Sequence, residues 1–434
     1  MKSKKFLFLA FTLVLSMLLA ACSSDGSDES ANGNNSSAEQ VSIDIFQGKV
    51  EFKDQFEDLV AKYEDENPNV SISVETVGGG TDYAPVLKSA FSAGDAPDIF
   101  NVTGPQDVID YNEYLTDLSD TAAAEAALEG TLKAVTDGDQ ILGLPFNQEG
   151  YGLVYNKQIF EDAGITPEEI LTYEDLEAAV QKIDGMKEEL GIEAVFALPG
   201  KEAWVMGDHL ANAFLAPEFN HDIIEAFNAD TVAIEKADEM KRFLDLQADY
   251  SVGPVLSLDY SQQVEEYFSL GQVAMIQQGN WVYPSVEQMD EELAQNIGML
   301  PIPVEGFEGS LPVGVPNNWA VNNQGTDAEI QAAKDFLDWM YTSEVGKEAV
   351  LKDFKFIPAY EGYDTSKISD PLSKDIYEYS EAGNTIGWIF GGYPSNPWGT
   401  DVMGSNMQRY LADDYTWDEV IEDSIAKWEE ARQE

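Results

Sequence analysis

The chain is poor in cysteine, histidine and positive charge, and each shortage removes a class of function. Cys22 is the single cysteine in 434 residues, so the fold has no disulfide and must be held by a packed core. His209 and His221 are the two histidines, which leaves little for a zinc site or a histidine-based triad. Lys and Arg number 24 against 80 Asp and Glu, for a formal net charge of −56. Clustered basic side chains are what hold phosphates, so nucleic acid is excluded as a partner and anionic substrates are disfavoured. There is no His-Glu-x-x-His helix, no Gly-x-Ser-x-Gly elbow and no Gly-x-x-x-x-Gly-Lys-Ser/Thr loop. Gly78-Gly79-Gly80 lacks the third-glycine spacing of a dinucleotide fingerprint and reads as a strand-to-helix turn. Asp137-Gly138-Asp139 is too short for a calcium loop and predicts a hairpin turn. No cofactor and no metal are implied. A carboxylate pair of the glycosidase kind stays open, because 80 acids always supply some pair.

What is present begins at the N-terminus. Lys2, Lys4 and Lys5 precede an almost wholly apolar run, Phe6 to Leu19, and small residues then lead into Cys22. An apolar stretch this short with basic residues before it reads as a secretory signal over residues 1–21 rather than a membrane span. Leu19-Ala20-Ala21-Cys22 resembles the lipobox of bacterial lipoproteins. That resemblance implies that Cys22 becomes a lipidated N-terminus, so the protein works anchored on the extracytoplasmic face of the cell membrane. Residues 22–40, rich in Gly, Ser, Asn and Asp without apolar periodicity, read as a flexible tether. No second long apolar segment follows, so the lipid is the only expected attachment to the membrane.

The body alternates two kinds of period. Val41-Ser42-Ile43-Asp44-Ile45-Phe46 and Val70-Ser71-Ile72-Ser73-Val74 alternate as strands, and Asp98 to Val102 predicts a third. Phe52, Phe56, Leu59, Val60 and Tyr63 keep helical spacing between the first two, and Ala84 to Ala93 predicts a helix before the third. Further strands are expected at 143–145, 153–155, 194–198 and 273–276, with helices at 174–190, 328–342, 344–352 and much of 406–431. Strands alternating with helices predict a largely parallel sheet in an α/β architecture.

Aromatic residues recur in turns rich in Gly, Pro and Asn: Trp204, Trp281, Trp319, Trp388 and Trp398. A sugar ring has an apolar face of C–H groups and a rim of hydroxyls, which flat aromatic rings and Asn, Gln, Asp or Glu side chains suit respectively. Trp339 and Trp428 lie on helical faces and read as core.

Five segments in order resemble the sugar-binding proteins of ABC importers, of the maltose-binding protein type. They are Ser92 to Ile99, Leu144 to Lys157, Phe268 to Met275 with Gln278-Gly279-Asn280-Trp281, Leu300 to Pro303 with Val313-Gly314-Val315, and Ala333 to Met340. The resemblance implies an α/β, two-lobed periplasmic-binding-protein-like fold with three hinge crossings, near Asn147–Gly152, Pro312–Trp319 and Ala382–Tyr393. One lobe would hold 41–148 plus 317–385, the other 149–316 plus 386–434. The protein would be a monomeric, non-enzymatic binder that captures a neutral oligosaccharide and delivers it to the transmembrane subunits of an ABC permease. A binder of another solute, such as a peptide or polyamine, and a lipid-anchored glycoside-active enzyme are the alternatives.

Carried over position by position, the family's sugar contacts fall on Gln47 after the first strand, on Asn101 and Gln106 after Pro97-Asp98-Ile99, and on Glu149 beside the hinge. Trp204 and Trp281 match aromatic stacking positions, as does Trp398. Asn317 and Asn318 stand where relatives often have glycines, and Asn318 joins the expected site. Trp388 is particular to this chain's hinge region and completes it.

Overall fold

The computed structural model describes residues 40–77, 83–394 and 398–433. Cys22, the tether up to residue 39 and Gly78-Gly79-Gly80 lie outside the described residues. The strands that organise the fold are β1 (Val41–Gln47), β2 (Val70–Thr76), β3 (Ile99–Val102), β4 (Leu144–Pro145), β5 (Glu149–Asn156), β6 (Ala194–Phe196), β7 (Val273–Gly279), β8 (Ile297–Leu300), β9 (Leu311–Gly314), β10 (Asn318–Val321) and β11 (Thr385–Gly387). They form two main sheets, one for each lobe.

The first sheet runs in the order β2-β1-β3-β10-β4 and is covered on both faces. Ile43 and Ile45 point to one core with Phe56, Leu59 and Phe336. Phe46, Phe100 and Ala320 point to the other, which holds Leu87 and Val108. The helix Lys53–Glu66 buries Phe56, Leu59, Val60 and Tyr63, the stripe that a 3.6-residue period places on one face. The second sheet runs β11-β9-β5-β7-β6, with β8 also paired to β5. Its core is larger and takes in Tyr151, Leu153, Phe196, Met275 and Trp428. The helix Tyr173–Leu190 starts on a capping box between Thr172 and Asp175 and ends on Gly191 at φ +71°, a left-handed position that suits glycine.

The largely parallel sheet expected from βα alternation is corrected. β1 pairs in parallel with β2 and β3, but β10 runs antiparallel to β3 and β4, and β5 antiparallel to β7, β8 and β9. The reason lies at the hinge. The chain leaves the first sheet from β4 to β5 and returns from β9 to β10 through three-residue connections, so the outgoing and returning strands that lie side by side run in opposite directions. The two connections run side by side: β4 pairs with β10 in the first lobe, β5 with β9 in the second, and the Phe146 amide donates to the Asn317 carbonyl between them at 2.9 Å.

The third crossing also differs from expectation. Residues 371–385 do not belong with the first lobe. The helix Pro371–Glu381 packs on β5, β8 and β9, burying Leu372 and Ile376 in the second core. Gly150 leaves the room for this, since a Cβ there would sit 2.7 Å from Ile376. β11 then pairs with β9. Tyr360 remains in the first core, so the chain crosses between Tyr360 and Leu372 rather than near 382–393. At Asp137-Gly138-Asp139 the expected hairpin forms, with residues 136–137 paired to 140–141 and Gly138 at φ +59°.

Candidate functional site

Between the lobes lies a cleft of about 900 Å³, to which the first lobe contributes Gly48, Lys49 and Val50 and the second contributes most of the wall. The wall is aromatic: Trp204, His209, Tyr260, Trp281, Trp388 and Phe390 all reach it.

Each ring is held by local chemistry. Trp281 follows β7, and its ring folds back over Gly279, where a Cβ would collide with the indole. Its Nε1–H donates to Gln278 Oε1 at 2.9 Å, Gln278 donates to Gln263 at 2.8 Å, and Gln263 donates to the Ala197 carbonyl at 2.8 Å. This chain of buried amides fixes the ring, and a satisfied buried network is rigid. Glu202 accepts from Trp204 Nε1 at 3.1 Å and from the Tyr260 amide at 3.1 Å, so one carboxylate sets two aromatic walls. Trp388 follows β11 and covers Gly314, where a Cβ would lie 2.5 Å from its ring. Its Nε1–H is buried with no partner among the described residues.

Both lysines of the cleft are paired with carboxylates, and Glu202 and Glu265 add two acids without a cationic partner among the described residues. Lys49 Nζ is 2.5 Å from Glu149 Oε1, and Glu149 is only 3% exposed. The pair therefore joins the first lobe to the second in a setting with little water. Asn147 Nδ2 donates to the same carboxylate at 3.3 Å. Lys201 lies 3.4 Å from Asp259.

His209 and Asp208 sit on a wide π-helical turn, Val205–Leu210, a geometry often found at functional positions. The turn packs against a second one, Trp398–Gly404, so closely that a Cβ on Gly207 would strike the Gly399 carbonyl. Burial, aided by the Lys49 charge, holds the His209 imidazole down to about 3. Burial pushes the neighbouring Asp208 carboxyl up to about 7, against the Thr400 hydroxyl that lowers it and with Asp401 adding to the rise. The Thr400 hydroxyl donates to Asp208 Oδ2 at 2.9 Å.

These two groups oppose each other in stability. Asp208, raised when folded, contributes stability at low pH that is lost as the pH climbs from about 4 to about 7. His209, lowered when folded, makes the unfolded chain the better proton binder, so its contribution is lost as the pH falls from about 6.5 to about 3. Asp208→Asn therefore raises the melting temperature at pH 8, leaves it near wild type at pH 4, and exposes a rise between those values that His209 drives. Scanning calorimetry of both proteins from pH 4 to pH 8 checks this, and parallel curves would refute it.

Of the residues expected from sequence, Glu149, Trp204, Trp281 and Trp388 line the cleft together. The others do not border it. Gln47 is fully buried and spends its amide on Lys49: Oε1 accepts from the Lys49 N–H at 2.5 Å, while Nε2 donates to the Lys49 carbonyl at 3.1 Å and to Thr76 at 2.7 Å. Asn101 lies beneath the same loop, accepting from the Gly48 N–H at 3.4 Å. Asn318 is buried in β10 and donates to the Val102 carbonyl at 3.4 Å. Gln106 donates to Asp110, one helical turn on, at 2.8 Å. Trp398 is corrected outright. It is 1% exposed, its Nε1–H donates to the Ser424 carbonyl at 3.2 Å, and it packs edge-on against Tyr393 and Trp428. Trp319 is likewise core, donating to the Tyr341 hydroxyl at 2.7 Å. Sequence reasoning missed Lys49, Glu202, His209, Tyr260 and Phe390. Only Phe390 carried a signal, sharing the Gly/Pro-rich turn of Trp388. Among the described residues no group of three or more His, Cys, Asp or Glu side chains is placed to hold a metal ion, and no helix is long and apolar enough to cross a membrane.

Known proteins share this architecture. The chain is 23% identical over 416 residues to the melibiose/raffinose/stachyose-binding protein MelE of Bacillus subtilis, covering 94% of this chain and 92% of that one. It is 22% identical over 357 residues to the multiple sugar-binding protein of Streptococcus mutans, covering 78% and 79%. Among solved structures, a chitin oligosaccharide binding protein superposes with a TM-score of 0.74 at 24% identity, over 91% of this chain and all of that one. RafE in complex with raffinose gives 0.72 at 20%, over 90% and 99%. Residues 49–347 match the profile described as bacterial extracellular solute-binding protein. With that profile spanning most of the folded body and the two-lobed architecture around an interlobe cleft, the chain belongs to the bacterial extracellular solute-binding protein family.

Proposed function

We propose that the protein is the sugar-binding component of an ABC importer, that it takes a neutral oligosaccharide into the cleft between its lobes, and that it releases the ligand unchanged to the permease. The observation that carries this reading is the aromatic wall of Trp204, Trp281, Trp388, Tyr260 and Phe390 around a cleft whose two lysines are each paired with a carboxylate. Flat rings stack on the C–H faces of pyranoses, and each Å² of apolar surface removed from water contributes roughly 25 cal/mol. Paired lysines leave no free cation to hold an anionic sugar. Relatives named for melibiose, raffinose, stachyose and multiple sugars support the class. In this reading Glu149, Trp204, Trp281 and Trp388 meet the ligand, while Gln47, Asn101 and Asn318 support the loops around it. Cys22 carries a lipid that tethers a monomer to the extracytoplasmic face of the membrane, and closure of the lobes about their hinge presents the loaded form to the permease.

A thermal-shift screen against mono- and oligosaccharides, including raffinose, stachyose, maltotriose and chitotriose, tests this. Binding to the folded state raises the melting temperature by mass action, about 2.7 kcal/mol of stabilisation at a hundredfold excess over Kd. A shift confined to one saccharide series, with the sugar recovered intact by mass spectrometry, is the expected result. A shift with spermidine or a peptide but with no saccharide would overturn the sugar class, and cleavage of the sugar would overturn the binder.

A further inference from the structure

We propose that His209 is a specificity-determining residue: through one imidazole nitrogen it forms a hydrogen bond that reads the position of one hydroxyl on the sugar unit stacked in the cleft. The inference rests on the saccharide reading of the site and adds to it the group that tells sugars of equal shape apart.

His209 stands at the centre of the aromatic wall. Its ring lies 4.4 Å from Tyr151 at an interplanar angle of 12°, 5.0 Å from Trp281, 5.1 Å from Trp204, 5.7 Å from Phe390 and 5.8 Å from Trp388. Tyr151 controls it twice, stacking on the imidazole from behind and donating its hydroxyl to the His209 carbonyl at 2.7 Å. Both the backbone and the ring plane of His209 are thereby set by one buried residue, and the close seat of Gly207 on Gly399 stops the π-helical turn from shifting.

Among the aromatic rings themselves free polar atoms are few, while Ser261, Ser285 and Glu265 supply further polar groups on the cleft lining. Trp281 and Trp204 have their N–H groups engaged with Gln278 and Glu202. Trp388 keeps its Nε1–H buried and does not present it to the cleft. The imidazole nitrogens have no hydrogen-bond partner among the described residues, and neither belongs to the buried atoms sealed from the cleft. A neutral imidazole donates through one nitrogen and accepts through the other, and burial with the Lys49 charge keeps this ring neutral. A polar atom set in an apolar floor discriminates strongly, because a ligand with no hydroxyl above it leaves that atom desolvated and unpaired.

The test is isothermal calorimetry of wild type, His209→Phe and His209→Asn with a bound saccharide from the screen, its epimers and its deoxy analogues. Wild type is expected to separate at least one epimeric or deoxy pair by about tenfold or more. His209→Phe keeps a ring on Tyr151 but has no polar atom, so that ratio falls to within about threefold, chiefly because the better ligand weakens. His209→Asn, which keeps a donor and an acceptor, retains part of the ratio. If His209 only fills space, His209→Phe leaves the ratio unchanged, and that result overturns the inference. An equal loss for both members of the pair overturns it too. Should His209→Phe fail to fold, judged by circular dichroism and melting temperature, the ratio in His209→Asn decides alone, an unchanged or abolished ratio counting against the role. Binding of saccharides by wild type with no such dependence on His209 refutes this role and leaves the sugar reading standing, whereas no saccharide binding by wild type refutes both.

Discussion

Trp281→Ala is expected to weaken saccharide binding by about 30- to 1,000-fold while the protein stays folded. Loss of an aromatic anchor from a desolvated binding pocket typically costs about 2–4 kcal/mol, and Trp281 has the attributes of one. It is 7% exposed, borders the cleft, and is held by the Gln278–Gln263–Ala197 relay rather than by the ligand. Its orientation therefore costs little when sugar arrives, which is the condition under which ring burial converts into affinity. Truncation also removes packing from the second core, so the ligand-free melting temperature falls by a few degrees. Calorimetric titration decides the matter: an affinity within threefold of wild type, in a variant that melts cooperatively, would remove Trp281 from the site.

Trp398→Ala should do the reverse. The indole is sealed between Tyr393 and Trp428, 4.9 Å from each by ring centroids, with its N–H on the Ser424 carbonyl. Alanine leaves a cavity at the junction of the helix Trp417–Ala431 and the Trp398–Gly404 turn and costs about 3–5 kcal/mol. That is a large share of the stability of a folded domain. The molecules that remain folded should bind saccharide far more nearly as wild type than Trp281→Ala does. Denaturant unfolding and titration together distinguish the two. A Trp398→Ala protein as stable as wild type but unable to bind would reverse the assignments.

Both tryptophans lie in turns of similar composition, Gly-Asn-Trp and Asn-Pro-Trp, and their fates diverge for a reason that composition does not carry. Trp281 follows a glycine at the end of a central strand of the second sheet, where the strand ends face the cleft. Trp398 opens a turn that the helix Trp417–Ala431 covers, so its ring meets Trp428 instead of solvent. The helix Pro371–Glu381 teaches the same lesson. Its amphipathic stripe, with Leu372 and Ile376 buried, announces a face to be covered but not which sheet covers it. The lobe boundaries implied by the family resemblance pointed one way, and packing went the other.

Gln47 shows a subtler case. A polar residue after the first strand was legible as belonging to the site region, yet its amide is used up on Lys49 and Thr76. The group it presents to the cleft is the lysine two positions on, already paired with Glu149. His209 was invisible for a related reason. It stands in Val205-Met206-Gly207-Asp208-His209-Leu210, a stretch without a ligand-binding motif, and the π-helical turn and the stack on Tyr151 bring it to the wall.

By itself, the sequence determined the α/β elements, most helix and strand positions, the first two hinge connections and four of the residues that line the cleft. The elements follow from hydrophobic periodicity and turn chemistry, which act over a few residues and are written locally, while the hinge connections and Glu149 follow from the resemblance to sugar-binding proteins. The strand directions, the place of the third crossing, the burial of Trp319 and Trp398, and the gathering of His209, Lys49, Tyr260 and Phe390 into the cleft were decided by tertiary structure alone. Each depends on which surface arrives from a segment scores of residues away, and a periodic pattern records that a face must be buried without recording its partner.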